Sequence, residues 1–228
     1  MPAHRQPSAE WLEGFKNSVL RYVHRGDYRG GLKIVLQARK EFPRCVDVNF
    51  QYAKLLGDWA DELPPKRQAR AKREAIAILT PMVRALGGRS AEFRFGVCLN
   101  YYYQKRDYRG MHRFGKRLIQ RRDRKGYYTQ GVAGALEALR EHGRGRRSRA
   151  RFWAQSSKSA WLKYGLGGEK YYFAHYCSAL ASALLGERRK ALASIKLAAR
   201  VSRRKISDWE FRDVLELLEL RDPTVSQP

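Results

Sequence analysis

Acidic residues are scarce in this chain: 22 Asp and Glu stand against 47 Lys and Arg over 228 residues, a formal net charge of +25. A surplus of that size opposes the compact state through self-repulsion, so it is expected where something anionic is usually close by. Cysteine is nearly missing. Cys45, Cys98 and Cys177 are too few and too scattered for a disulfide framework or a zinc cluster with short ligand spacing, and they read as small core residues in a reducing compartment. The five histidines, His4, His24, His112, His142 and His175, do not pair with one another at i,i+3 or i,i+4, so no metal is expected. Long apolar runs are lacking as well. The longest, near ALASALL at 179–185, is far short of a membrane span, and the opening MPAHRQPSAEW holds no apolar stretch for a secretory leader. The expectation is a cytoplasmic chain with no membrane partner.

Catalytic signatures are missing too. GLGG at 165–168 joins helices and lacks the strand and the following Lys-Ser/Thr of a phosphate loop. Ser, Cys and Asp occur, but no motif sets a base beside a nucleophile. These absences predict a protein that is not an enzyme, with no cofactor and no small-molecule substrate.

What is present suffices for a fold. Apolar residues make up 43% of the chain and aromatics 12%, enough to bury one core or a run of repeats. Arg outnumbers Lys 32 to 15, which suits forked binding of phosphate, although a GC-rich genome gives the same bias. A period runs through the sequence. GDYRGGL at 26–32 returns as RDYRGMH at 106–112, 80 residues later, and GERRKAL at 186–192 echoes both after another 80. Fixed periods of this kind mark stacked units.

Within residues 15–43 the spacing predicts a helical hairpin. Apolar residues at 15, 19, 22 and 23 share one helical face, RGD makes the turn, Leu32, Val35, Leu36 and Ala38 hold a second face, and Phe42-Pro43 stops the second helix. Residue by residue the unit resembles a tetratricopeptide repeat: Phe15, Ser18, Val19 and Tyr22 on the first helix, Gly26-Asp27-Tyr28 at the turn, Gly31 and Ala38 on the second, Pro43 at the end. A third unit reads Phe95, Cys98, Leu99 and Tyr102, then Asp107-Tyr108, Met111 and Leu118, with Leu99 and Met111 where that family keeps small residues. A fifth reads His175, Ser178, Ala179, Ser182, Gly186, Ala191, Leu192 and Ala198. Between them, 47–59 is expected to pair with 73–86, and 127–139 with 150–164. The residues in excess of two 34-residue units are expected between the paired helices, as ADELPPKRQARAK and REHGRGRRSRA.

The resemblance implies an all-α solenoid of about five hairpins over residues 10–205, followed by a capping helix at 206–221, with flexible tails at 1–9 and 222–228. SDWEFRDVLELLEL at 207–220 has the pattern of such a cap, with Ser207 as N-cap, Glu210 three residues on, and Trp209, Val214, Leu217 and Leu218 on one face.

The family's carboxylate clamp needs Lys, Asn, Asn, Lys and Arg on three successive first helices. Lys16 matches, but Leu20, Gln51, Phe93 and Val97 stand in the other places, so the clamp is not expected. The groove-lining positions implied by the resemblance are Lys16, Phe50, Lys54, Phe93, Asn100, Tyr103, Phe173 and Tyr176, an aromatic surface with little charge. It suits an apolar peptide or unpaired bases.

The basic residues have their own geography. Arg106, Arg109, Arg113, Lys116, Arg117, Arg121 and Arg124 follow helical spacing opposite Met111, Phe114 and Leu118, with no acid between 108 and 122 to interleave them. KRQARAKR at 66–73 and RGRRSRAR at 144–151 each carry five basic residues in eight. Both fall at expected helix starts, where the helix dipole disfavours cations and favours anions. Arg beside free N–H groups is a phosphate-binding chemistry.

The candidate polyanion-binding residues are therefore Lys66, Arg67, Arg70 and Arg73, then Arg109, Arg113 and Arg117, then Arg144, Arg146, Arg147, Arg149 and Arg151. The expected partner is nucleic acid, RNA before DNA. The alternative is a protein-protein adaptor that holds a peptide or an acidic protein in the groove, with the positive charge steering association.

Overall fold

The computed structural model describes residues 6–166, 172–202 and 211–218. Every regular element among them is helical: α1 (Ala9–His24), α2 (Tyr28–Glu41), α3 (Val46–Ala60), α4 (Pro65–Arg84), α5 (Ala91–Gln104), α6 (Tyr108–Gln120), α7 (Lys125–Gly143), α8 (Arg147–Tyr164), α9 (Tyr172–Leu184), α10 (Arg188–Ser202) and α11 (Arg212–Leu217). No helix among the described residues is long and apolar enough to cross a membrane. The chain divides into two compact units, one ending at Asp107 and the other beginning at Tyr108.

In the first unit α1 packs on α2 and α3, α3 on α4, and α4 on α5. Local chemistry sets the helix starts. Ser8 accepts from the Trp11 N–H at 3.1 Å, Asp27 from Gly30 at 2.7 Å and Ser90 from Phe93 at 3.2 Å, each satisfying a first-turn donor the helix itself cannot. Each such cap is worth about 1 kcal/mol. Gly26 takes φ +70° just past α1, the left-handed position that lets the chain reverse into α2.

The helical periodicity then buries Phe15, Val19, Leu32, Val35, Phe42, Val48, Leu55 and Leu56 in one cluster. Gly31 explains why a small residue stands there. A Cβ on it would lie 3.3 Å from Tyr22 Cβ and 3.4 Å from Leu55, so α2 sits close against its neighbours.

In the second unit α7 is central: α6, α8 and α9 all pack on it, α10 and α11 pack on α9. Small residues permit this. A Cβ on Gly126 would lie 2.5 Å from the Gly115 carbonyl oxygen, and one on Gly134 would lie 2.9 Å from the Ser157 backbone nitrogen. The backbones of α6, α7 and α8 thus approach to a distance that larger side chains would forbid. Ser157 seals the α7–α8 contact by donating its hydroxyl proton to the Gly131 carbonyl at 2.7 Å.

Four expected hairpins are present, as α1–α2, α3–α4, α7–α8 and α9–α10. The turn of the third coincides with the unit boundary: α5 packs with α4 in the first unit and α6 with α7 in the second. Gly115 and Gly126 give α6 a close partner in α7.

The excess residues are also corrected. They do not form long insertions but lengthen helices: α4 runs 20 residues from Pro65, α7 19 and α8 18, and only 61–64 and 144–146 connect them. Lys, Arg, Gln and Ala are good helix formers, so KRQARAK extends α4 rather than looping. Of the amino-terminal tail expected at 1–9, Ser8 caps α1 and Ala9 is helical, while residues 1–5, like the tail expected at 222–228, lie outside the described residues.

Of the expected capping helix, Ser207, Trp209 and Glu210 lie outside the described residues. Within them α11 is a six-residue helix, with Phe211 and Val214 fully buried against the unit and Leu218 buried beside them. All three cysteines are buried and none forms a disulfide.

Candidate nucleic-acid interface

The α4 start follows Pro64, which offers no side-chain cap, and its first turn holds no acid. Lys66, Arg67, Arg70 and Arg73 are exposed and pair with no carboxylate among the described residues. Lys72 differs. Its Nζ lies 2.5 Å from Asp61 Oδ1, which also accepts from Gln68 at 3.2 Å, so this cation closes the α3–α4 turn.

The α8 start is likewise uncapped and free of first-turn acid, because Arg146 stands at the cap position. Arg147, Arg149 and Arg151 are exposed without a carboxylate partner among the described residues. Gly145 to Arg149 bound an open concavity of about 530 Å³.

Arg144 and Arg146 have another task. Glu137 and Glu141, one turn apart on α7, are both fully buried. Arg109 Nε lies 2.8 Å from Glu137 Oε1, and Arg140 pairs with Oε2 of the same carboxylate. Glu141 is met by Arg109 at 3.6 Å, Arg144 at 3.6 Å and Arg146 at 3.5 Å. A buried carboxylate left alone costs several kcal/mol, so these guanidiniums are required by the fold. Four cations around two anions still leave a surplus of two positive charges at this corner of the second unit.

The candidate residues Arg109, Arg144 and Arg146 are thus brought together, by two glutamates that lie outside the sequence expectations. A signal was there: Glu137 and Glu141 sit in an alanine-rich apolar helix, each followed three residues on by an arginine, Arg140 and Arg144. Arg113 and Arg117 on α6 are exposed, opposite the buried Met111 and Gly115, as the stripe predicted. Arg124 is engaged at the far side of α7, donating to the Tyr164 carbonyl with its guanidinium 5.3 Å over the Tyr164 ring.

The expected groove is corrected at several positions. Lys16, Phe50 and Phe93 do meet, in an open cleft of about 470 Å³ within the first unit. Lys16 is not a free cation there, since its Nζ lies 2.6 Å from Asp47, which also pairs with Arg89 at 3.7 Å. Phe50 is core, buried against Ala53, Leu79 and Val97, with the half-buried Phe93 ring edge-on to it at 5.4 Å. Lys54 is half-buried near Asp58, Asn100 donates to the Gly96 carbonyl one turn back at 2.9 Å, and Tyr103 is half-buried.

In the second unit Phe173 stacks on Tyr176 at 5.9 Å. Tyr176 is buried, its hydroxyl donating to Asp213 of α11 at 3.0 Å, and burial pushes its pKa well above the ordinary tyrosine value. It is core beneath α11, not groove. The aromatic residue the sequence reading missed is Phe152, 67% exposed on α8.

Two acid–base shifts bear on these surfaces. Burial raises Asp58 to about 6, with Asp61 adding to the rise and Lys54 and Lys72 opposing it. Burial and then Lys116 lower His112, whose ring meets Trp153 edge-on at 5.2 Å. No family model matches the chain, and neither a curated protein nor a solved structure matches it.

Proposed function

We propose that this chain is a non-catalytic, tetratricopeptide-like scaffold that binds a polyanion, RNA in the first place, through the basic helix starts of α4 and α8 and the outer face of α6. One observation carries the reading. Lys66 and Arg67, and again Arg147 and Arg149, stand exposed in the first turns of α4 and α8, which have neither a side-chain cap nor a first-turn acid, and the exposed Arg70, Arg73 and Arg151 continue each run into the following turns. By contrast α1 and α5 are capped by Ser8 and Ser90 and carry Glu10 and Glu92 in their first turns, whereas α7, behind Arg124, shares the uncapped, acid-free start of α4 and α8. Cations at a helix start work against the dipole by some tenths of a kcal/mol each, and a bound phosphate reverses the sign of that term. Guanidinium forks add charge-assisted, bidentate bonds.

The adaptor reading rests on the open cleft of the first unit, where Arg89 lies 5.5 Å over the half-buried Phe93 ring. Asp47 and Glu92 offset Lys16 and Arg89 there, so that cleft fits a neutral peptide better than an acidic one.

The two readings separate in one preparation. Protein purified at low salt should carry nucleic acid, seen in its ultraviolet absorbance ratio, and should lose it on nuclease treatment and a high-salt wash. Protein that purifies free of nucleic acid and shows no affinity for added RNA at low salt removes the polyanion reading.

A further inference from the structure

Phe152 is the one exposed large aromatic among the described residues, at 67% exposure on the first turns of α8. It is not a loose ring. Trp153 lies edge-on to it at 5.5 Å, and Trp153 is held in turn by His112 of α6 at 5.2 Å and packed against the buried Ala138, Ala154 and Ala181. The neighbours that share its outer face by helical spacing are polar or basic: Ser148 and Arg149 before it, Gln155 and Ser159 after it, then Lys163. Of these, Ser148, Arg149, Gln155, Ser159 and Lys163 are exposed.

A protein-docking patch surrounds its aromatic anchor with further apolar area, which is lacking here. A flat ring with a cation one turn away and no apolar collar fits a nucleobase, whose face covers the ring while its phosphate meets the guanidinium. The Arg109, Arg140, Arg144 and Arg146 corner, with its surplus over Glu137 and Glu141, adds positive potential at the same end of α8.

From this we infer that Phe152 is a base-stacking platform, flanked by Arg149 and Arg151 as phosphate contacts, which makes unpaired RNA the substrate class of the second unit. The inference rests on the polyanion reading above and goes further, since phosphate contact alone does not separate strands from duplexes. Bases inside a duplex stack on one another and offer no face to Phe152.

The test uses the full chain and three probes: a short unstructured single-stranded RNA, a blunt RNA duplex, and an abasic strand of the same phosphate count. Phe152→Ala should weaken the single strand by about tenfold with no change in salt slope, while the duplex and the abasic strand bind as to the parent. Phe152→Trp should restore the single-strand affinity, which a merely structural role would not predict. Circular dichroism should show the Ala variant folded like the parent. If Phe152→Ala binds all three probes like the parent, or weakens all three alike, the platform is overturned while the polyanion reading stands. A parent that binds none of the probes overturns both.

Discussion

The runs 66–73 and 144–151 are nearly interchangeable as text, each with five basic residues in eight at a helix start. They differ in what the protein needs from them. Among the cations of the first run, Lys72 alone pairs with a carboxylate of the described residues, Asp61, whose side chain is 28% exposed and therefore loses little if the pair is broken. In the second, Arg144 and Arg146 face Glu141, whose side chain has no exposure at all. The same composition therefore serves two purposes. A cation opposite a buried carboxylate holds the fold together, and one opposite solvent is available to a ligand.

The largest expected effect tests that division. Replacing Arg109, Arg144 and Arg146 together with Ala strips Glu141 of the guanidiniums that meet it, and should cost about 3–5 kcal/mol in urea unfolding. Lys72→Ala should cost about 1 kcal/mol or less. Equal losses would erase the distinction between the two runs.

A smaller effect concerns Asp58, beside the α3–α4 turn. Its folded value of about 6 lies above its ordinary 3.8, so the folded protein holds a proton there that the unfolded chain releases between those values. Stability therefore falls as pH rises through about 4 to 6, by about 1 kcal/mol once solvent screening at this half-buried site is counted. Asp58→Asn should flatten that part of the stability–pH curve and raise stability at neutral pH. A curve unchanged by the substitution would place the titration elsewhere.

Much of the architecture could be read from spacing alone. The positions at Phe15, Val19, Leu32 and Val35, and the turn glycines Gly26 and Gly186, mark hairpins because a helical face and a left-handed turn residue both leave a fixed trace. The close packing of α6 on α7 is less legible, because it depends on a backbone contact between Gly115 and Gly126, which no periodicity announces.

The basic surfaces were legible as charge, and half of their meaning was not. Arg109, Arg113 and Arg117 share one stripe in sequence, yet Arg109 alone turns to buried carboxylates that a reading of outward charge does not look for. Aromatic residues misled in both directions. Phe50 and Tyr176 proved to be core, whereas Phe152, which sits among arginines without any apolar companion on its face, is exposed.

The central claim, that uncapped basic helix starts bind phosphate, is tested most directly by the salt dependence of RNA affinity. About five phosphate contacts, at about −0.7 each for single strands, predict a logarithmic slope near −3.5 and about a hundredfold loss between about 50 and 200 mM salt. Two charge-reversed proteins should be compared with the parent, one carrying Arg67→Glu, Arg70→Glu and Arg73→Glu, the other Arg147→Glu, Arg149→Glu and Arg151→Glu. These sites spare Arg144 and Arg146, so melting temperatures should stay close to the parent's. The prediction is weaker binding and a visibly shallower slope in both variants. Parent-like affinity and slope in both would contradict the claim.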